Sequence, residues 1–326
     1  MKNIKKNILL VQTIILFVLF IFSLSMGRYS IKLDELFLIL FGKQTGTSST
    51  VIFSIRLPRI IAAVVVGASL SAAGSAYQGV FQNPMASPDI LGASAGAGFG
   101  AALALLAGFN RVLVIISSFA FGLISVAIAL FIVKNAKGTM VLRLVLSGII
   151  VSSLFQSGTS IIKLTADPNN KLPAITYWLI GSLNGIKADA LLYAFIPMFF
   201  GLAVLFSLRW KMNIMTMGDE EAQSLGVEPD KVRLIVILAA TLITSAAVSI
   251  SGMIGWVGLI IPHVMRRICG NDYRYLVPAS MIGGGIFLLF ADNISRCVSA
   301  AGIPIGILTS ILGAPIFFYI ITRHGE

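Results

Sequence analysis

Long apolar runs alternate with short polar breaks along the chain, and the runs are apolar on nearly every helical face. A helix without a polar face is surrounded by lipid or by protein on all sides. A bilayer crossing needs about 20 residues. The pattern predicts ten crossings, at roughly 8–26, 58–78, 90–108, 112–133, 141–163, 190–208, 231–250, 254–268, 277–295 and 305–322. The eighth is short and begins in Gly252-Met-Ile-Gly-Trp-Val-Gly258. Residues 170–186 suit an interfacial helix, with Tyr177 and Trp178 at headgroup level. Residues 216–226 form the most acidic stretch. There Asp219, Glu220 and Glu221 suit a first helical turn and Gly226 a position just past its end, which predicts a short polar helix on the cytoplasmic side.

Composition agrees with a membrane protein. Of 326 residues, 57% are hydrophobic and 11% charged, against roughly 25% charged in a soluble domain. The expectation is one all-α, polytopic membrane domain over 1–326. The N-terminus resembles a secretory signal, but its apolar run reaches Met26 without a small-residue cleavage site, so it is read as the first span. The net charge of +11 does not imply nucleic acid. The cations gather at span ends, where they set orientation, and no basic-aromatic face remains. With ten spans both termini fall on one side, and Lys2, Lys5, Lys6 and Arg323 place that side in the cytoplasm. Several cations then lie on the outer side, Arg56, Arg59 and Arg296 among them, and need another explanation. Cys269 and Cys297 sit at opposite ends of one predicted span, too far apart for a disulfide.

Small residues recur at four-residue spacing in Ala63, Gly67, Ser71 and Ser75, and again in Gly92, Gly96 and Gly100. Such spacing lets helix backbones approach closely in lipid. Arg59 opens the second span and Arg233 the seventh, five spans apart, which suggests an inverted repeat of the kind transporters use.

Catalytic readings fail. Gly92-Ala-Ser-Ala-Gly96 fits the G-x-S-x-G pattern but lies in a helix, and the histidines, His263 and His324, sit at span ends beside arginines. Gly42-Lys43 lacks the rest of a phosphate-binding loop. The spans are nearly free of acid, Asp89 and Asp292 lying near span ends, which argues against an ion-coupled secondary carrier. No cofactor or metal set is expected. Uphill transport would then draw on a separate ATPase docked on the 216–226 helix.

Four motifs in order carry a resemblance over essentially the whole chain. They are Arg56-Leu-Pro-Arg59; the Gly79–Gly96 run with Asn83-Pro84 and Ser87-Pro-Asp-Ile-Leu-Gly92; Gly218 to Gly226; and Gly255-Trp-Val-Gly-Leu-Ile-Ile-Pro-His263 with Arg266-Arg267. The chain resembles the FecCD-type permeases of iron-siderophore, haem and cobalamin importers, the type II import permeases of ATP-binding-cassette (ABC) transporters. The resemblance implies a homodimer in the bacterial plasma membrane. Separate ATPase subunits would lie below it and an extracytoplasmic substrate-binding protein above it. It also implies cargo delivered as ferric siderophores, with haem or cobalamin as the alternative. Gly218, Asp219, Glu220, Glu221, Ala222, Leu225 and Gly226 take the place of the ATPase-coupling helix. Arg56, Arg59 and Arg296 match the arginines that meet acids of the binding protein. Thr139 and Met140 match the inner gate, and Ser147, Ser152, Gln156 and Ser160 the pathway-lining fifth span.

Overall fold

The computed structural model describes residues 2–27, 29, 31–42, 46–298 and 302–322; Arg28, Lys43, Arg323 and His324 lie outside these. The described residues form helices and connections without a strand. Ten helices occupy the expected spans: α1 (Lys2–Ser25), α4 (Leu57–Val80), α5 (Ala93–Leu106), α6 (Arg111–Asn135), α7 (Met140–Thr165), α9 (Ala188–Met215), α11 (Pro229–Ser251), α12 (Val257–Cys269), α13 (Tyr273–Val298) and α14 (Ile305–Thr322). Four short ones complete the order: α2 (Leu33–Leu40), α3 (Thr47–Thr50), α8 (Lys171–Ile180) and α10 (Asp219–Ser224). Seven segments are long and apolar enough to cross a bilayer, with Ala93–Leu106 and Ile305–Tyr319 as shorter apolar helices.

The second span starts earlier than its hydrophobicity suggests. α3, a π-helical segment Val51–Arg56 and α4 make one helix of 34 residues, Thr47–Val80. Thr47-Ser-Ser-Thr50 are weak helix formers, so the stretch gave no sequence signal and forms as an extension of the span. The π segment changes the angular spacing of side chains, and Arg56 in its last turn is only 5% exposed.

α4 is the centre of the bundle, packed on α9, α11, α12 and α13, while α5, α6 and α7 form a second group joined to it through α11. Small residues set these crossings. A Cβ on Gly67 would lie 2.2 Å from the Gly284 carbonyl oxygen, and one on Gly284 would lie 2.2 Å from that of Gly67. A Cβ on Gly74 would stand 1.7 Å from the Gly258 oxygen. Gly96 and Gly100 press likewise on the backbone of α6, 2.5 Å from the Phe121 and Ser117 oxygens. The four-residue spacing is therefore a packing device here.

Two helices are shorter than expected. α5 begins at Ala93 and α12 at Val257, with 14 and 13 residues, about 20 Å each at 1.5 Å per residue. The chain before each is irregular backbone inside the bundle. Ile90 lies against α7, where a Cβ on Gly148 would come 1.9 Å from the Ile90 oxygen. The first irregular segment packs on the start of α12, where a Cβ on Gly258 would lie 2.3 Å from Pro88 Cγ. Between them lies a cavity of about 170 Å³ lined by Ser87, Asp89, Ile254, Gly255 and Trp256, among others. Irregular backbone at membrane depth persists only where protein or a cavity surrounds it. These breaks follow the second and the seventh helix in the same way, the placement in which transporters put their pathways. Trp256, at φ 72°, is one of two described non-glycine residues with positive φ, a conformation costing of order 1–3 kcal/mol that persists where the surroundings fix it.

Candidate functional site

At the end of the bundle where α1 finishes, three arginines converge. Arg56 donates through Nη1 to the carbonyl oxygens of Leu24 at 2.6 Å and Ser25 at 3.0 Å, and through Nη2 to Tyr29. It thus satisfies the last carbonyls of α1, which have no partner within their own helix. Arg59 Nε lies 2.7 Å from Asp292 Oδ1, and its other nitrogens donate to Asn184 and, at 3.4 Å, to Ser295. Arg296 Nε stands 3.0 Å from Asp292 Oδ2, close enough for an ion pair though poorly aligned for a hydrogen bond. Arg296 also donates to Asn293, whose amide donates to Ser23 Oγ at 2.7 Å.

The carboxylate of Asp292 is fully buried, while the side chains of Arg59 and Arg296 keep 12% and 9% exposure. The arginines matched to docking are thus not free arms. Each is committed inside the chain, and only an edge of each faces out. Asp292 carries this network and was not among the expected site residues. Its sequence signal was the i, i+4 spacing to Arg296; its pairing with Arg59, 233 positions away, had none.

The acidic helix lies at the other end. α9 runs from beside Asn184 to Met215 over 28 residues, about 42 Å, and α10 follows it. Gly218, at φ +119°, precedes the first turn, and Asp219, Glu220 and Glu221 fill it. Arg233 of α11 is 2% exposed and donates to Asp219 at 2.9 Å and Asp230 at 2.9 Å. This fork ties α10 to the seventh span. Glu220, Glu221 and Leu225 are exposed and Gly226 ends the turn at φ +76°. Ala222 is fully buried in the main core. It faces inward and packs α10 onto the core, while Glu220, Glu221 and Leu225 face out.

The gate and pathway residues fall on and before α7. Thr139 caps that helix, its side chain accepting from the Leu142 N–H, and Met140 packs half-buried against the core. Ser147 is buried, with its hydroxyl donating to the Leu144 oxygen, so it cannot line an open surface from this position. Ser152 lies against Gly92 of the irregular segment. Gln156 and Ser160 are exposed on α7 between Leu154 and Ile161, each 62% exposed. Ser160 is satisfied by the Gln156 carbonyl at 3.0 Å, whereas among the described residues the Gln156 amide has no hydrogen-bond partner. An unpaired amide facing hydrocarbon is costly, so this face of α7 fits an aqueous path or a polar partner.

The description of the FecCD transport family matches residues 15–323. The chain is 37% identical over 316 residues to the molybdate import system permease protein MolB of Haemophilus influenzae, covering 95% of this chain and 94% of that one. It is 36% identical over 321 residues to the Fe(3+)-citrate import system permease protein YfmE of Bacillus subtilis, covering 96% and 94%. Among solved structures, a metal-chelate type ABC transporter in an inward-facing conformation superposes with a TM-score of 0.90 at 36% identity, covering 98% of this chain and 99% of that one. Together with the ten-helix bundle, these likenesses establish the chain as a multi-pass membrane permease of the FecCD transport family, an ABC importer permease with the type II fold.

Proposed function

We propose that the chain imports an iron complex, most simply a ferric siderophore, across the bacterial plasma membrane. It does so as a homodimer with both termini in the cytoplasm. Separate ATPase subunits dock on α10 and an extracytoplasmic binding protein on the arginine rim. The iron cargo is supported by the Fe(3+)-citrate relative, and the observation that carries the ATPase-coupled mechanism is α10 itself, an exposed acidic helix anchored on Arg233 at the end opposite the rim. A short helix held rigidly to a span by a charge fork can pass a partner's movement into the bundle. Glu220, Glu221 and Leu225 offer the contact.

The rim supports docking through field rather than reach. Arg59 and Arg296 share the carboxylate of Asp292 while Arg56 is held by backbone carbonyls, so the cluster keeps an excess of positive charge. Such a field speeds encounter with an acidic partner and fixes its register. Gln156 and Ser160, with the apolar face around them, support a path shared with a second copy. Thr139 and Met140 remain gate candidates below it. The molybdate relative supports a second reading in which the cargo is an oxyanion; haem and cobalamin remain alternatives within the class.

The coupling role has a direct test. Arg233→Gln frees α10 from α11, so cargo-stimulated ATP hydrolysis and uptake should both fall severalfold while the permease still inserts. Insertion is read by membrane fractionation and coupling by ATPase assay in proteoliposomes. Unchanged stimulation in that variant would remove Arg233 from the coupling path.

A further inference from the structure

At the α10 end lies a second polar concavity, distinct from the rim. It is a recess of about 550 Å³ where the end of α4, the turn after it, the end of α9 and the last turns of α12 come together. Gln78, Asn83, His263, Arg266, Arg267 and Asn271 are on its wall. Arg266 is the fixed point. Its Nη2 donates to Gln78 Oε1 at 2.9 Å and reaches the Tyr273 hydroxyl at 3.5 Å, and the guanidinium stands 5.9 Å from the Tyr273 ring centre.

These partners are all neutral. Among the described residues no carboxylate forms an ion pair with Arg266, and its Nε is buried without a hydrogen-bond partner. The nearby acid, Asp272, is engaged elsewhere: Arg274 Nη2 lies 2.7 Å from its Oδ2 and the Asn213 amide 2.7 Å from its Oδ1. The hydrogen bonds from Arg274 hold the Asp272 carboxyl well below its usual range, so it stays committed as an anion to that pair. An arginine does not lose its proton in a protein. A half-buried charge held only by neutral groups leaves room for a counter-ion beside it.

We infer that this recess binds a small oxyanion of the phosphate class, with Arg266 as its principal contact. Arginine presents a rigid fork of donors that matches tetrahedral oxyanions. Gln78 and Tyr273 hold that fork in place before the ion arrives. The Asn83 and Asn271 amides add neutral donors on the same wall. The concave shape suits an ion with part of its water shell.

Equilibrium dialysis of the purified full chain in detergent against radiolabelled inorganic phosphate tests this, with molybdate as a second probe. Saturable binding at one site per chain is expected. Arg266→Gln should weaken it about tenfold or more, since a hydrogen bond to a charged group contributes about 1.5–3 kcal/mol. Arg111→Gln, an exposed change outside the recess, should leave it intact. Arg266→Lys guards against simple misfolding: it keeps the charge, loses the fork, and should bind with intermediate affinity. Molybdate binding much tighter than phosphate would identify the ion as cargo at its exit, and equal binding would identify a general oxyanion site. No saturable binding to the wild type, or equal binding in Arg266→Gln, overturns the inference. Absent phosphate binding together with loss of the co-purifying ATPase in Arg266→Gln would also overturn it, by giving the recess to a carboxylate of the partner.

Discussion

Asp292→Ala should be among the most destabilising single changes in this protein. It leaves Arg59 and Arg296 with 12% and 9% of their side chains exposed and no counter-charge. Removing one partner of a buried ion pair costs about 3–5 kcal/mol, because the remaining charge stays out of water. The loss would loosen α4 from α13 at the rim and, through Asn293 and Ser23, α1 from α13 as well. Asp292→Asn keeps an acceptor oxygen and the shape, so it should melt between the wild type and the alanine variant. Thermal unfolding in detergent reads this order. An alanine variant within about 0.5 kcal/mol of wild type, the range of ordinary surface changes, would mean that water already screens the network.

The second large effect is expected at Gly74. A Cβ there would lie 1.7 Å from the Gly258 oxygen and 2.5 Å from its carbonyl carbon, backbone atoms that cannot rotate aside. Gly74→Leu must therefore push α4 and α12 apart. It would also open the junction where Pro88 packs on the first turn of α12. Overpacking a formed core costs about 1–3 kcal/mol where neighbours can shift, and here they cannot, so failure to accumulate as folded protein is expected. Gly255→Ala is the control: nothing lies within 4 Å of the added carbon and φ is not in the left-handed region. Size-exclusion profiles of the two variants should differ sharply. A monodisperse Gly74→Leu would show that the crossing is looser than its contacts imply.

These two positions illustrate what the sequence reveals and what it hides. Uninterrupted apolar runs marked the spanning helices because lipid exposure demands them, and the four-residue repeat of small side chains announced tight crossings. The acidic stretch around Asp219 announced a polar helix between the sixth and seventh spans. The extension from Thr47 was hidden because its helicity comes from continuity with α4 rather than from its own residues. The late starts of α5 and α12 were hidden because residues 90–92 and 254–256 are apolar enough to read as parts of the spans. The arginine rim was legible as charges on an unexpected side, yet its chemistry was not. Partners such as Asp292, Asn184 and Ser295 are brought to Arg59 only by the fold. The burial of Ala222 was hidden for the same reason, since which face of a six-residue helix points inward depends on what lies beneath it.

The central claim is that this permease carries iron complexes. Uptake of radioiron from several ferric siderophores and ferric citrate, with labelled haem, cobalamin and molybdate in parallel, tests it in cells with and without the gene. Loss of ferric-complex uptake alone, restored by the wild-type gene, is the predicted result. Loss of molybdate uptake with iron uptake intact would contradict it and make the oxyanion reading correct.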